Sequence, residues 1–179
     1  TSTAQSFTVP STVKQIQSGA FEGAVNLTHV NLNNVENIGV NVFNGCVNLS
    51  NVEVNPSNEN FSVLDGVIFN GDKTSLIAYL PIKQNARYFV PSTVRSIQSY
   101  AFSGNGSIQS VVFNSDINEI YSHAFYGCYQ LYSVAFNAQV KNIFDYAFGN
   151  CTNLVSFYVE YDLAYLSSVA FSGSNNVIA

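Results

Sequence analysis

The sequence predicts a β-solenoid: a stack of short extended pieces whose copies line up into a parallel sheet, with a small β-meander inserted into one turn. Three observations carry this. Phenylalanines recur at a fixed step, 23 residues between Phe102, Phe125, Phe148 and Phe171 and 22 between Phe21 and Phe43; a period in the twenties is what a stacked repeat leaves in a sequence. Each copy contains a short apolar/polar alternation, the period-two mark of a half-buried strand. No segment offers ten or more residues of helical period, so long helices are excluded.

The copy from Ala124 to Tyr146 defines positions 1 to 23. Its apolar residues stand at 1 and 2 (Ala124, Phe125), 5 (Cys128), 8 (Leu131), 11 (Val134), 13 (Phe136), 17 (Val140) and 20 (Ile143), with Gly127 at 4. The next copy opens at Ala147 and the preceding one at Ala101; earlier copies open at Ala20 and Val42, and a last one at Ala170. Within each copy the L-x-x-V-x-F run is the sheet strand, and V-x-x-I is a shorter extended piece. The A-F-x-G-C segment is expected to form one helical or 3₁₀ turn, its Phe plugging the core and its Gly relaxing the bend.

Taken in order, residues 1–5 are a polar lead-in, and Ser6–Gly19 supplies the back half of a repeat. VPSTVKQIQSGAF, ending at Phe21, returns as VPSTVRSIQSYAF, ending at Phe102, which points to duplication of a larger module. Between Val54 and Val90 the rhythm breaks: Phe43 and Phe102 are 59 residues apart, one period plus 36. The inserted residues read as strands separated by Asp65-Gly66 and Asn70-Gly71, dipeptides expected to supply the positive φ of tight hairpin turns. Pro81 should end the last inserted strand, and Tyr88–Val90 should rejoin the stack. The whole of 1–179 is expected to be one domain, with the meander at about 55–90.

The pattern A-F-x-G-C-x-x-L-x-x-V-x-F-x-x-x-V-x-x-I, the V-P-S-T-V connector and the insert N-x-N-F-S-V-L-D-G-V-I-F together resemble the BspA-like, or Treponema-type, leucine-rich repeats. The resemblance runs from about Phe7 to Ile178, and the combination is specific. It departs at Asn150, where Gly is usual, at Ala24 and Asn105, where Cys is usual, and in the single 22-residue copy. It implies a leucine-rich-repeat solenoid that is extracellular or on the surface of a host-associated microbe, acting in adhesion or protein binding and not in catalysis.

Composition narrows the partners. Charged residues are 9% of the chain, against roughly 25% in an average soluble domain, and the net charge is −5. Four of the six basic residues, Lys73, Lys83, Arg87 and Arg95, form a local strip on an acidic body. Nucleic acid is not an expected partner, since phosphate binding needs clustered cations over a whole face. No apolar run reaches 18 residues, so no membrane-inserted helix is expected. The chain opens at Thr1 without a signal-type leader and contains no Met, and it reads as a processed product or an excised fragment, with a secreted origin plausible.

No catalytic, cofactor or metal site is expected. Cys46, Cys128 and Cys151 share position 5, pointing inward. Cys128 and Cys151 are one rung of about 4.8 Å apart, which leaves a disulfide open beside the favoured reading of buried thiols acting as small apolar groups. His29 falls on the exposed strand face and His123 at position 23 on the far side. Five Asn-x-Ser/Thr sequons begin at Asn26, Asn48, Asn60, Asn105 and Asn150, relevant only in a eukaryotic secretory pathway. Asn33, Asn55, Asn114 and Asn137 share position 14, either as a ligand-facing row or, preferred, as an amide ladder capping the strand ends.

The candidate ligand face is the outward side of the strands: His29, Asn31, Asn51, Glu53, Ser110, Ser133, Ser156 and Tyr158, with Tyr132 beside them. An extracellular protein or a glycan is the expected partner, because Tyr offers apolar area with a hydroxyl; strand propensity explains the tyrosines equally well. The two ends form a second candidate. Leu163–Ala179 carries no charge, Val177 and Ile178 stay in apolar register, and Ala179 falls at position 10 where Phe7 falls at 11. Phe7, Val9, Phe171, Val177 and Ile178 could thus join copies head to tail into a filament, or a longer repeat protein could have been cut here.

Overall fold

The computed structural model describes residues 4–81, 83 and 85–177. Two compact units, Thr1–Lys83 and Gln84–Ala179, make up the chain. Each is a run of solenoid turns, as the repeat predicts.

In the first unit the strands are β1 (Ser6–Thr8), β2 (Gln15–Ile16), β3 (His29–Asn31), β4 (Asn37–Ile38), β5 (Asn51–Glu53), β6 (Phe61–Leu64), β7 (Val67–Asn70) and β8 (Ser75–Tyr79). β1, β3 and β5 pair in parallel with Phe7, Val30 and Val52 in register, and β2 pairs with β4. Val30, Leu32, Val35, Cys46 and Leu49 are fully buried between these two sheets. Asn58 closes this stack: its Nδ2 donates to the carbonyls of Asn33 and Val35, and its Oδ1 accepts from the amides of Asn60 and Phe61. The chain is thereby turned out of the repeat and into β6.

β6, β7 and β8 form the expected antiparallel meander. Asp65 and Gly66, at φ 49° and 68°, are the type I′ corner anticipated between β6 and β7. The second corner differs from expectation. Its positive φ lies at Lys73, not at Asn70-Gly71, because Asn70 stays in β7 and uses its side chain instead: Oδ1 accepts from the Ser75 amide and Nδ2 donates to Thr74. Gly71 is there for proximity, since a Cβ would stand 1.8 Å from the Glu59 carbonyl oxygen. Lys83 ties the meander down, with Nζ 2.7 Å from Asp65 Oδ2 and the side chain only 10% exposed.

The second unit contains β9 (Arg87–Val90), β10 (Ser96–Ile97), β11 (Ser110–Phe113), β12 (Ile117–Ile120), β13 (Ser133–Phe136), β14 (Val140–Ile143), β15 (Ser156–Val159) and β16 (Tyr165–Leu166). β9, β11, β13 and β15 make one parallel sheet; β10, β12, β14 and β16 pair in parallel opposite it. Between them the phenylalanines stack rung on rung: Phe102–Phe125 at 4.5 Å, Phe125–Phe148 at 5.0 Å and Phe148–Phe171 at 5.5 Å between centroids. Each such pair contributes about 0.5–1.5 kcal/mol beyond its buried area.

The A-F-x-G-C segments are hydrogen-bonded turns, and no helix occurs among the described residues. The reason is a switch of partner. Amides at positions 2 and 4 donate to the next rung, as Phe125 does to Ala147, Gly127 to Gly149 and Phe102 to Ala124, at 2.7–2.8 Å. Left-handed residues bracket the segments opening at Ala20, Val42, Ala101, Ala124 and Ala147: Gly19, Asn41, Tyr100, His123 and Tyr146 stand just before them, and a glycine or Asn150 at position 4, while the last segment has Gly173 alone. They break any helical run and turn the amides outward along the stack. A bulky side chain at such a φ costs about 1–3 kcal/mol. In the second unit ring stacking offsets that cost, with Tyr100–His123 at 4.9 Å and His123–Tyr146 at 5.1 Å.

Replacing Gly71 by Ala should therefore lower unfolding free energy by about 1–3 kcal/mol, whereas Gly106→Ala, whose Cβ meets nothing within 4 Å, should leave the urea midpoint nearly unchanged.

Candidate binding face

Alternation along each strand sends every second side chain outward. In the second unit this produces two parallel rows. Arg87, Ser110, Ser133 and Ser156 stand in register in one, and Phe89, Val112, Ala135 and Tyr158 in the other. The Ser133 hydroxyl donates to that of Ser110 at 3.0 Å. Phe89 and Tyr158 are each 57% exposed, and Tyr132, just ahead of β13, is 55% exposed. Their alternating neighbours Val111, Phe113, Val134 and Phe136 are buried. The exposed rings stand at the two ends of a row whose middle, Val112 and Ala135, is small and half-buried.

Ser110, Ser133, Ser156 and Tyr158 therefore share one surface, and Tyr132 is exposed at its edge, immediately before β13. Arg87 and Phe89 belong to that surface as well and were not among the expected residues. Counting 23 back from Val112 finds Phe89; the insertion hid that rung by breaking the count.

His29, Asn31, Asn51 and Glu53 occupy the corresponding face of the first unit, and its chemistry is different. His29 Nδ1 lies 3.0 Å from Asn51 Nδ2, Asn51 donates to Glu53 Oε1 at 3.0 Å, and His29 Nε2 lies 3.7 Å from Glu53 Oε2. The Asn31 side chain accepts from the Asn33 amide. This is a polar mesh whose members satisfy one another.

The amide row is partly a ladder. Asn137 donates to Asn114 at 2.8 Å across one rung, whereas Asn33 donates to the Val9 carbonyl and Asn55 closes a local turn onto Ser57. Of the sequons, Asn105 is only 3% exposed, its Oδ1 holding the amides of Ser107 and Ile108. Among the self-association residues, Val9 is buried, Phe7 is exposed on β1 with its ring edge-on to Phe21, and Phe171 and Val177 are half-buried. Ile178 lies outside the described residues.

The three cysteines are unbridged and buried. Each thiol donates to a carbonyl one rung away: Cys46 to Phe21 at 2.9 Å, Cys128 to Phe102 and Cys151 to Phe125 at 3.1 Å. Burial pushes all three thiols up from their ordinary value of 9.0, Cys151 to about 12 and Cys128 well above normal with Cys151 adding repulsion. A thiol raised in the folded state stabilises it fully below pH 9.0, and that contribution is lost as pH rises towards 12. In the native protein none of the three should react with a disulfide reagent at pH 8, and all three should react in urea. Between pH 8 and 10.5 the urea midpoint should fall less steeply in Cys128→Ser/Cys151→Ser than in the parent.

Six copies of the BspA type leucine rich repeat region match residues 1–74 and 83–178. No protein with a curated description matches. Among solved structures, a leucine-rich cell surface protein from Faecalibacterium prausnitzii is 24% identical over 94% of this chain, with a TM-score of 0.68. The pneumococcal vaccine antigen PcpA is 19% identical over 97% at 0.66, and a leucine-rich repeat protein from Eubacterium ventriosum 19% over 94% at 0.56. The chain spans 51%, 60% and 64% of their lengths. Their likeness shows a shared fold. With its repeats matched over nearly all its residues, the chain belongs to the BspA-type leucine-rich repeat family.

Proposed function

We propose that the chain is a non-enzymatic recognition module of a bacterial cell surface, acting in adhesion by holding a protein or glycan on the outward face of the β9–β11–β13–β15 sheet. The observation that carries this is the outward Phe89–Val112–Ala135–Tyr158 row, its two end rings more than half exposed, with a further exposed ring, Tyr132, immediately before β13. Large rings more than half exposed on a rigid strand contribute little to folding, and rings of this kind are enriched where binding energy concentrates. The surface location rests on the cell-surface relative that shares the fold.

The non-enzymatic reading is supported by where the reactive groups sit. All three thiols are buried with raised pKa, so none is a ready thiolate. His29 is engaged with Asn51 and Glu53, and His123 is sandwiched between Tyr100 and Tyr146. Neither contacts a hydroxyl or thiol nucleophile in those arrangements.

Beads coated with the chain should attach to epithelial monolayers, and Tyr132→Ser/Tyr158→Ser should reduce attachment about tenfold or more, the loss of a hot-spot pair. Equal attachment by the parent and the variant, with unchanged melting, would place adhesion elsewhere.

A further inference from the structure

We infer that the β9–β11–β13–β15 face takes an uncharged polysaccharide. This rests on reading that face as the binding surface and names the chemistry of its occupant.

Charge is the deciding feature. The stretches 96–115, 120–140 and 146–159, which supply β11, β13, β15 and the turns feeding them, contain no Lys, Arg, Asp or Glu. The only ionic group in the two outward rows is Arg87, at the first rung. A typical protein surface is rich in ions, and docking one here would strip water from its charges with almost nothing to pair them, at a cost of several kcal/mol for each ion left buried. An uncharged polysaccharide has no such charges to desolvate. Its chemistry is hydroxyls around the rim of each sugar and C–H groups on the faces.

Both halves of that chemistry have a counterpart on the sheet. Phe89 and Tyr158 offer rings that meet no other aromatic ring among the described residues, unlike the stacked phenylalanines inside. A free ring face can take the C–H side of a sugar. The hydroxyls of Ser110, Ser133 and Ser156 run beside them and both donate and accept. Rungs of about 4.8 Å put Phe89 and Tyr158 about 14 Å apart across three steps, a span suited to several linked sugars and not to a single one. The first unit's face lacks this combination, since its His29, Asn51 and Glu53 side chains already bind one another.

The test is native affinity electrophoresis of the intact chain through gels holding a neutral β-glucan, a galactomannan or a dextran, with heparin as the anionic comparison. At least one neutral polymer should retard the chain, equally at low salt and at about 0.5 M, where surface charge is screened beyond about 4–5 Å. Phe89→Ala and Tyr158→Ala should each weaken retardation at least fivefold with unchanged near-ultraviolet circular dichroism and melting. Three outcomes overturn the proposal: no retardation by any neutral polymer, retardation by heparin alone, or binding indifferent to both substitutions. If neutral polymers fail while bead attachment still depends on Tyr132 and Tyr158, the face stands and its partner is a protein. If neither depends on those rings, the face itself is wrong.

Discussion

Rung-to-rung hydrogen bonding at the corners is the constraint from which the rest of this structure follows. Sheet strands bond their neighbours in any parallel stack. Here the turn segments do so too, with Phe125, Gly127 and Phe148 donating to Ala147, Gly149 and Ala170. Every rung is therefore locked to the next at the turn as well as in both sheets of its unit. A one-residue slip would break these bonds and throw the core row outward, which is why the period stays at 23 wherever the stack is unbroken in the second unit. The left-handed residues at positions 23 and 4 are the local cost of aiming those amides along the stack.

Once register is fixed, chemistry sorts itself by position. Position 2 becomes a phenylalanine column, and position 5 a column of thiols that answer the carbonyl one rung away. Asn105 can replace cysteine at position 5 because its side chain caps two amides of its own turn. Outward positions are released from the core and differ between the units, a self-satisfied polar mesh on one and an uncharged aromatic row on the other.

That division also explains what could be read from the sequence. Period, strands, meander and inward thiols follow from hydrophobic spacing, which is dense and redundant in this chain. The Asp65-Gly66 corner was legible because its dipeptide supplies both positive φ values. Asn70-Gly71 misled, since its glycine serves the close pass of Glu59 and the dihedral burden moved to Lys73. The single turn expected of A-F-x-G-C is there in its bonds along the chain, Tyr126 to His123 and Cys128 to Phe125, but the amides between them cross to the next rung, so no helix propagates, a tertiary effect that local pattern does not record. Arg87 and Phe89 escaped notice because the insertion breaks the count just before their rung. The aromatic residues at position 23 were hidden for another reason: nothing in Tyr100, His123 or Tyr146 advertises a left-handed backbone.

Amide hydrogen exchange followed residue by residue tests the corner bonding most directly. Phe125, Gly127 and Phe148 should exchange as slowly as the strand amides of β13, because each is held by a bond between rungs. Exchange of these three at the rate of an exposed turn, with β13 still protected, would contradict the account and leave the sheets alone to set the register.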